Sequence, residues 1–412
     1  MDENKKRILF MVGFVLMTIA LGFALYKVFF QKEKQNIESP IDFSAIEQGA
    51  FPSAGQTTST KDRTLSGSGA LPTSKESVSA NIITQKDRLL EENPTLQVTE
   101  ERVNNVALGA NGRVSFYSPQ DGKFYRLQAD GTIQSISDKI FYNVDKVTWA
   151  KKDDEAILEY PDGSNIYYNF ETKEQATLPK HWGEFSFSEK GNQIAAKSLG
   201  LSPENRWLVA SSPDGKNTKF IEPLGNNADE VIVNWSPNEQ VLAFSTTGQP
   251  LGADRQEVLF VGANQENFSS TVVEGRGFEP LWSPSGEKLL YSVYSANSQF
   301  KPELWVVNGS PGSIGTGRKS LKINTWANKC TFENERFVYC AVPITLDEGA
   351  GFEPTIADNT SDQIFKIDIQ TGTKTEIPID GYHTIDTIII DKQHKQIFFT
   401  DKVNSGLFKI PL

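Results

Sequence analysis

Three histidines and two cysteines are the residues of this chain most suited to chemistry. His181 stands in PKHWG, His383 in DGYHTID and His394 in a polar turn. A serine hydrolase needs a nucleophile on a sharp strand-to-helix elbow together with a His and an acid. No G-x-S-x-G occurs, and the three histidines are scattered. No G-x-x-x-x-G-K-[ST] loop is present, and the glycine-rich GSPGSIGTG (309–317) reads as a turn between strands. DEGAGFEP (347–354) carries carboxylates and glycines without the D-x-D-x-D-G spacing of a calcium loop. Each histidine therefore reads as a solvent-facing or hydrogen-bonded loop residue, with His383 alone placed on the face where ligands bind. No catalytic residue, metal or cofactor is assigned.

Cys330 and Cys340 flank a short polar turn centred on Glu335, so they oppose each other across a hairpin. Opposed antiparallel positions lie about 4.5–5.5 Å apart at Cα, within disulfide reach. Outside the cytoplasm the pair is expected to be oxidised. The alternative is two small buried apolar residues. Two thiols alone make a poor zinc site.

The elements that must position these residues follow from composition and repetition. The net charge is −11 and the acidic residues are dispersed, so no nucleic-acid partner is expected, since such partners need clustered Lys and Arg. Residues 8–30 (ILFMVGFVLMTIALGFALYKVFF) form a 23-residue apolar run with Lys27 as its one charge. That length spans the roughly 30 Å hydrocarbon core of a bilayer. Lys5, Lys6 and Arg7 place residues 1–7 in the cytoplasm. The run reads as an uncleaved signal anchor in the cytoplasmic membrane. Ala20-Leu21-Gly22 offers the alternative of a cleaved signal peptide. Residues 31–94 are rich in Ser, Thr, Gly and Pro and read as a disordered tether, in which 82–92 (IITQKDRLLEE) has the pattern of one short helix.

Residues 95–412 alternate short β-branched and aromatic runs with Gly, Asn, Asp and Pro. The phrases NWSPNEQVLAFS (234–245) and LWSPSGEKLLYS (281–292) are two copies of one hairpin. Equivalent anchors are Leu108, Trp149, Phe187, Trp235, Trp282, Phe332 and Ile390, spaced by 41, 38, 48, 47, 50 and 58 residues. Units of this length are those of β-propeller blades. The anchors read as blade-to-blade core rather than as a carbohydrate-stacking ladder. The expected fold is all-β, a seven-bladed β-propeller with four-stranded blades. The chain ends at Leu412, on the third strand of repeat seven, so Thr95–Glu100 (TLQVTE) is expected to supply the missing outer strand and close the ring.

WSPSGEKLLYS with PELWVVN, and WSPNEQVLAFS with EVLFVGA, resemble the TolB-like, WD-type repeats of bacterial β-propellers. The resemblance covers about residues 104–412 and departs from the family pattern in blades one, three, six and seven, where the Trp is replaced. It implies a propeller, usually a binding platform, although such blades also accompany peptidases and lyases. With its apolar N-terminus the chain is also similar to membrane-anchored envelope propellers.

Loop length points to the working face. The connections between second and third strands are short in blades one and two and grow through TTGQPLGADRQ, VYSANSQFKP and PITLDEGAGFEPTIADNTSD (343–362). Loops of that length are usually functional or disordered. They gather Arg255, Tyr294, Phe300, Lys301, Asp347, Glu348, Phe352, Glu353 and Asp358. The tripeptide FEP recurs at Phe278-Glu279-Pro280 and Phe352-Glu353-Pro354, both on this face. Aromatics among charges suit recognition of a protein, peptide or glycan. The leading expectation is a non-enzymatic, membrane-tethered platform, outside the cytoplasmic membrane, that binds an envelope component. The alternative is a propeller-based lyase or hydrolase acting on a sugar or peptide. A third is a self-associating spacer.

Overall fold

A computed structural model describes Met17 and residues 94–412, apart from 110, 111, 152, 153, 265 and 267. The expected cytoplasmic stub, the body of the anchor and nearly all of the tether lie outside the described residues. Among the described residues no helix is long and apolar enough to cross a membrane.

Seven four-stranded antiparallel sheets account for the strands of this region. In blade one the strands are Asn104–Leu108, Val114–Ser118, Lys123–Leu127 and Ile133–Ser135. The inner strands of blades two to six are Lys146–Trp149, Trp182–Phe187, Val231–Val233, Arg276–Trp282 and Cys330–Phe332. Blade seven is built from Ile385–Asp391, Gln396–Asp401 and Leu407–Pro411, with Leu96–Gln97 as its outer strand.

The repeated phrase works through its serine. Ser236 Oγ accepts the Val241 N–H at 2.9 Å, and Ser283 Oγ accepts the Lys288 N–H at 3.0 Å, so each hairpin tip is tied to the start of its second strand. The preceding Trp then points between blades. The Trp282 ring stacks on Phe244 of blade four at 5.3 Å. Six anchors lie within inner strands and Trp235 follows the fourth. The core is divided accordingly. Six apolar clusters occupy the successive interfaces from blades one and two to blades six and seven. A seventh unites Val114, Phe116 and Leu127 of blade one with Phe398 and Leu407 of blade seven. The ring is therefore closed by packing as well as by strand pairing.

The closing strand is short but firmly held. Leu96 opposes Lys409 and Gln97 opposes Phe408. The Val98 N–H donates to the Leu407 carbonyl at 2.7 Å, and Thr99 Oγ accepts the Leu407 N–H at 2.9 Å. Thr95 Oγ accepts the Asp380 N–H, also at 2.9 Å. Gly406 permits this approach: its φ is +100°, and a Cβ there would lie 2.1 Å from the Thr99 carbonyl oxygen.

Cys330 and Cys340 are paired across the blade-six hairpin with Cα atoms 4.1 Å apart, and their sulfurs are bonded. The bridge closes a loop with a sequence separation of 10 residues. Chain-entropy reasoning gives such a loop about 2–3 kcal/mol of stabilisation. Replacing both cysteines by Ala is expected to lower the unfolding free energy by that amount in urea titration. An unchanged midpoint would contradict it.

Candidate functional site

The loops joining second to third strands, and fourth strands to the next blade, emerge at one end of the propeller. Most of the large apolar side chains exposed among the described residues gather there, including Tyr142, Leu201, Leu251, Ile344, Phe352, Ile356, Tyr382 and Val403. Among the described residues, the hairpin turns at the opposite end expose none of this class, though Leu412 ends exposed beside the turn at Lys395.

Blade six supplies the largest structure at this end. Loop 344–361 carries a small core of its own, in which Trp326, Leu346, Ala350 and Ala357 meet. It is fastened to the blade-five loop by Gly349 N–H to Gln299 O at 3.0 Å and Gly351 N–H to Phe300 O at 2.7 Å. The blade-five loop is fastened in turn to blade four, since Asp254 Oδ1 accepts the Ala296 N–H at 3.1 Å. Phe352 packs on Tyr294 at 4.6 Å and on Phe300 at 5.1 Å between ring centroids, and is itself 61% exposed. The Tyr294 ring lies in a slot between two glycines. A Cβ on Gly277 would meet its Cε1 at 2.4 Å, and one on Gly351 would meet its Cβ and Cγ at 2.5 Å. Gly351→Ala is accordingly expected to cost about 1–3 kcal/mol through overpacking and to speed chymotryptic cleavage at Phe352. A variant as protease-resistant as the parent would contradict the slot.

Beneath this lip lies a cleft of about 370 Å³ bounded by blades five, six and seven. Phe278, Glu279, Tyr294, Lys329, Asp358, Asp386 and Lys402 line it. The inner strand of blade five shifts register between Arg276 and Glu279, with Gly277 at a φ of +66°, which re-aims the following side chains. Glu279 accepts a hydrogen bond from Ser292 at 3.2 Å, and burial holds its pKa above the usual carboxylate value. Lys402 sits 2.6 Å from Asp358 and 3.4 Å from Asp386. Burial works against its ammonium, but the two carboxylates prevail and its pKa stands above the usual lysine value. Lys329 contacts both oxygens of Asp362 at 2.8 Å, and Asp362 Oδ2 also accepts the Ile385 N–H at 2.7 Å. Burial pushes Lys329 down and Asp362 up.

The residues singled out from sequence are thus only partly gathered. Phe278, Glu279, Tyr294 and Asp358 line the cleft, and Phe300 and Phe352 form its lip. Arg255 stays at blade four, paired with Glu274 at 2.9 Å. Lys301 lines a separate groove with Lys322 and Pro343. Asp347, Glu348 and Glu353 are exposed on the blade-six loop. His383 is turned into blade seven, where Nδ1 meets Asp401 Oδ2 at 2.7 Å, Nε2 meets the Asp380 carbonyl at 2.9 Å, and Phe399 and Phe408 pack on the ring. It does not line the cleft, because the chain folds its ring beneath the loop that leads into blade seven. Lys329, Asp386 and Lys402 were missed. Lys329, in the turn before Cys330, and Lys402, on the short blade-seven loop, lie at positions that no sequence motif marks.

Among the described residues no three His, Cys, Asp or Glu side chains converge as metal ligands do. No protein-family model matches the chain, and no curated protein matches it in sequence. Solved structures do. An oligogalacturonate lyase in complex with manganese matches with a TM-score of 0.53 and 12% identity, over 77% of this chain and 93% of that one. The β-propeller domain of Swd1 from Myceliophteria thermophila matches at 0.51 and 9%, over 77% and 98%. A catalytically inactive virginiamycin B lyase from Staphylococcus aureus, solved with quinupristin, matches at 0.50 and 12%, over 78% and 99%. At such identities the likeness is one of fold alone. The chain is a β-propeller.

Proposed function

We propose that the propeller is a non-enzymatic binding platform that takes a protein or peptide through the loop end, with the cleft of blades five to seven at its centre. The observation that carries this reading is the segregation of exposed apolar side chains to that end around Phe352. Soluble surfaces rarely concentrate such residues without a partner, and aromatic side chains dominate binding energy where partners dock. The mixed charges beneath the lip suit polar groups of a peptide, or the hydroxyls of a glycan, better than a purely apolar ligand.

The apolar run 8–30 supports placing the propeller on a tether outside the cytoplasmic membrane, facing envelope components. The WSP phrases support kinship with TolB-like repeats. A propeller lyase or hydrolase is the second reading, favoured by the elevated pKa of Glu279, which would suit a general acid. Against it, Lys329 is committed to Asp362 and Lys402 to Asp358 and Asp386, so neither lysine of the cleft is free to act with Glu279.

The test compares the full chain with a variant in which residues 347–358 are replaced by Gly and Ser. Each is immobilised and offered solubilised cell envelope. One partner retained by the first and lost by the second is the expected result. Equal retention by both would remove the blade-six loop from the site.

A further inference from the structure

Blades five and six part on their outer flank, and a groove of about 540 Å³ opens between them. The seam is uncovered because the outer strand of blade five is only Lys319–Ser320. Beyond it the chain takes left-handed backbone at Lys322, with a φ of +53°. Blade six faces this gap with side chains that alternate along its strands. Val342 of its second strand and Phe365 of its third stand half-buried there, at the edge of the apolar cluster that joins the two blades. Ile344 lies just beyond that second strand and is 52% exposed. Ile323, in the connection from blade five, completes the floor. The groove shares no lining residue with the cleft of blades five to seven.

The rim of the groove carries the opposite sign to the molecule as a whole. The chain has a net charge of −11, yet Lys301, Lys322 and Lys374 line the groove and no carboxylate does. Lys322 has Glu303 at 3.2 Å. Lys374 Nζ donates to the Lys322 carbonyl at 2.6 Å, and neither it nor Lys301 meets a carboxylate among the described residues. Asp347 and Glu348 follow on the blade-six loop, and Glu376 accepts a hydrogen bond from Gln363 at 3.2 Å, but none of the three lines the groove. Like charges gathered beside an apolar floor repel one another, and carboxylates entering between them relieve that repulsion. A purely apolar guest would leave the ammonium groups uncompensated. A purely acidic one would leave the floor wet.

We propose that this groove takes an extended acidic segment of a partner protein, with apolar side chains on Val342, Ile344 and Phe365 and carboxylates on Lys301, Lys322 and Lys374. An extended chain presents successive side chains to opposite sides, so acidic and apolar residues in alternation satisfy rim and floor together. Ile344 begins the loop that also carries Phe352, so one partner can cover both the groove and the aromatic lip. The groove does not depend on the cleft, however, and binds its segment whether or not the cleft is occupied.

Fluorescence anisotropy on the full chain in detergent tests this, with a labelled peptide of alternating Glu and Leu as the probe and its Gln and Leu counterpart as the control. The acidic peptide is expected to bind with a Kd below about 1 mM, and at least about tenfold more tightly than the Gln peptide. The double variant Lys301→Gln, Lys374→Gln should lose about tenfold in affinity, and Ile344→Ser about fivefold. Lys301 is half-buried and Lys374 and Ile344 are exposed, so the ring folds in each variant. Lys392→Gln with Lys395→Gln makes the same charge change at exposed turn-end positions and should leave the affinity unchanged. Four results would overturn the proposal: no binding at that concentration, equal binding of the two peptides, full affinity in the Lys301 and Lys374 variant, or an equal loss in the turn-end variant. A peptide-free chain that sediments as a dimer, and as a monomer once Lys301 and Lys374 are replaced, would overturn it as well and give the groove to a second copy. Each outcome is separate from the envelope capture, in which only residues 347–358 are changed and the groove is left intact.

Discussion

Replacing Lys329 by Met is expected to destabilise the propeller by about 3–5 kcal/mol, the usual cost of stranding a buried charge. Asp362 is fully enclosed, and the Lys329 side chain is 11% exposed. Asp362 spans three elements: it receives the ammonium from before blade six, begins the third strand of that blade, and accepts the Ile385 N–H at the head of blade seven. Without the ammonium, burial outweighs what the Ile385 N–H and the charge of Lys402 still contribute, and the carboxylate pKa rises further. A folded-state pKa above the unfolded value means that the folded protein holds more protons. Stability of the variant must then fall as pH rises above the ordinary aspartate range. Urea titration at pH 5 and pH 7 should show a larger deficit at pH 7. Adding Asp362→Asn removes the charge yet leaves an acceptor for Ile385, and should recover more than half of the loss. A double variant no more stable than the single one would contradict this account.

Removing residues 1–100 is the second large effect. It strips the outer strand from blade seven and leaves the Leu407–Pro411 edge open. The lost hydrogen bonds, at about 1 kcal/mol each, with the partial burial of Val98, amount to roughly 4–6 kcal/mol. An open edge also invites pairing between chains. The expected result is a lower urea midpoint together with concentration-dependent association in sedimentation. Gly406→Ala probes the same contact within the whole chain, because its Cβ collides with the Thr99 carbonyl and its φ of +100° disfavours any side chain. It should reproduce a substantial part of the deficit. Truncated protein that stays monomeric with an unchanged midpoint would show that the ring does not need its velcro strand.

Blade architecture was legible in the sequence wherever local chemistry repeats. The Ser-Pro tips, the apolar second strands and the anchor residues each act within a dozen residues, so their pattern survives substitution of Trp by Phe, Leu or Ile. The cysteine pairing was legible for the same reason, since one short turn fixes its register. The closing strand could be inferred because a blade would otherwise lack an edge. The site was legible in its lip and in Phe278, Glu279 and Asp358 of the cleft lining. Tyr294, Phe300 and Phe352 lie on conspicuous long loops, and loop length signalled them. The cleft floor depends on which residues face one another across blades. Lys329 and Asp362 are 33 residues apart, and Lys402 meets Asp358 across 44. No local pattern records such meetings. His383 lies in the loop leading into blade seven, as expected, but sequence does not say whether a loop residue's ring turns outward or, as here, inward onto Phe399 and Phe408.

The central claim is that a partner meets the loop end of the ring. The most direct measurement places a photo-reactive phenylalanine analogue in the full chain, at 352 or 382 on the loop end and at 190 or 287 on the turn end, and irradiates native membranes. Adducts of one discrete mass from 352 and 382, with none from 190 and 287, are the predicted result. Adducts confined to 190 and 287, or formed equally from all four positions, would contradict it.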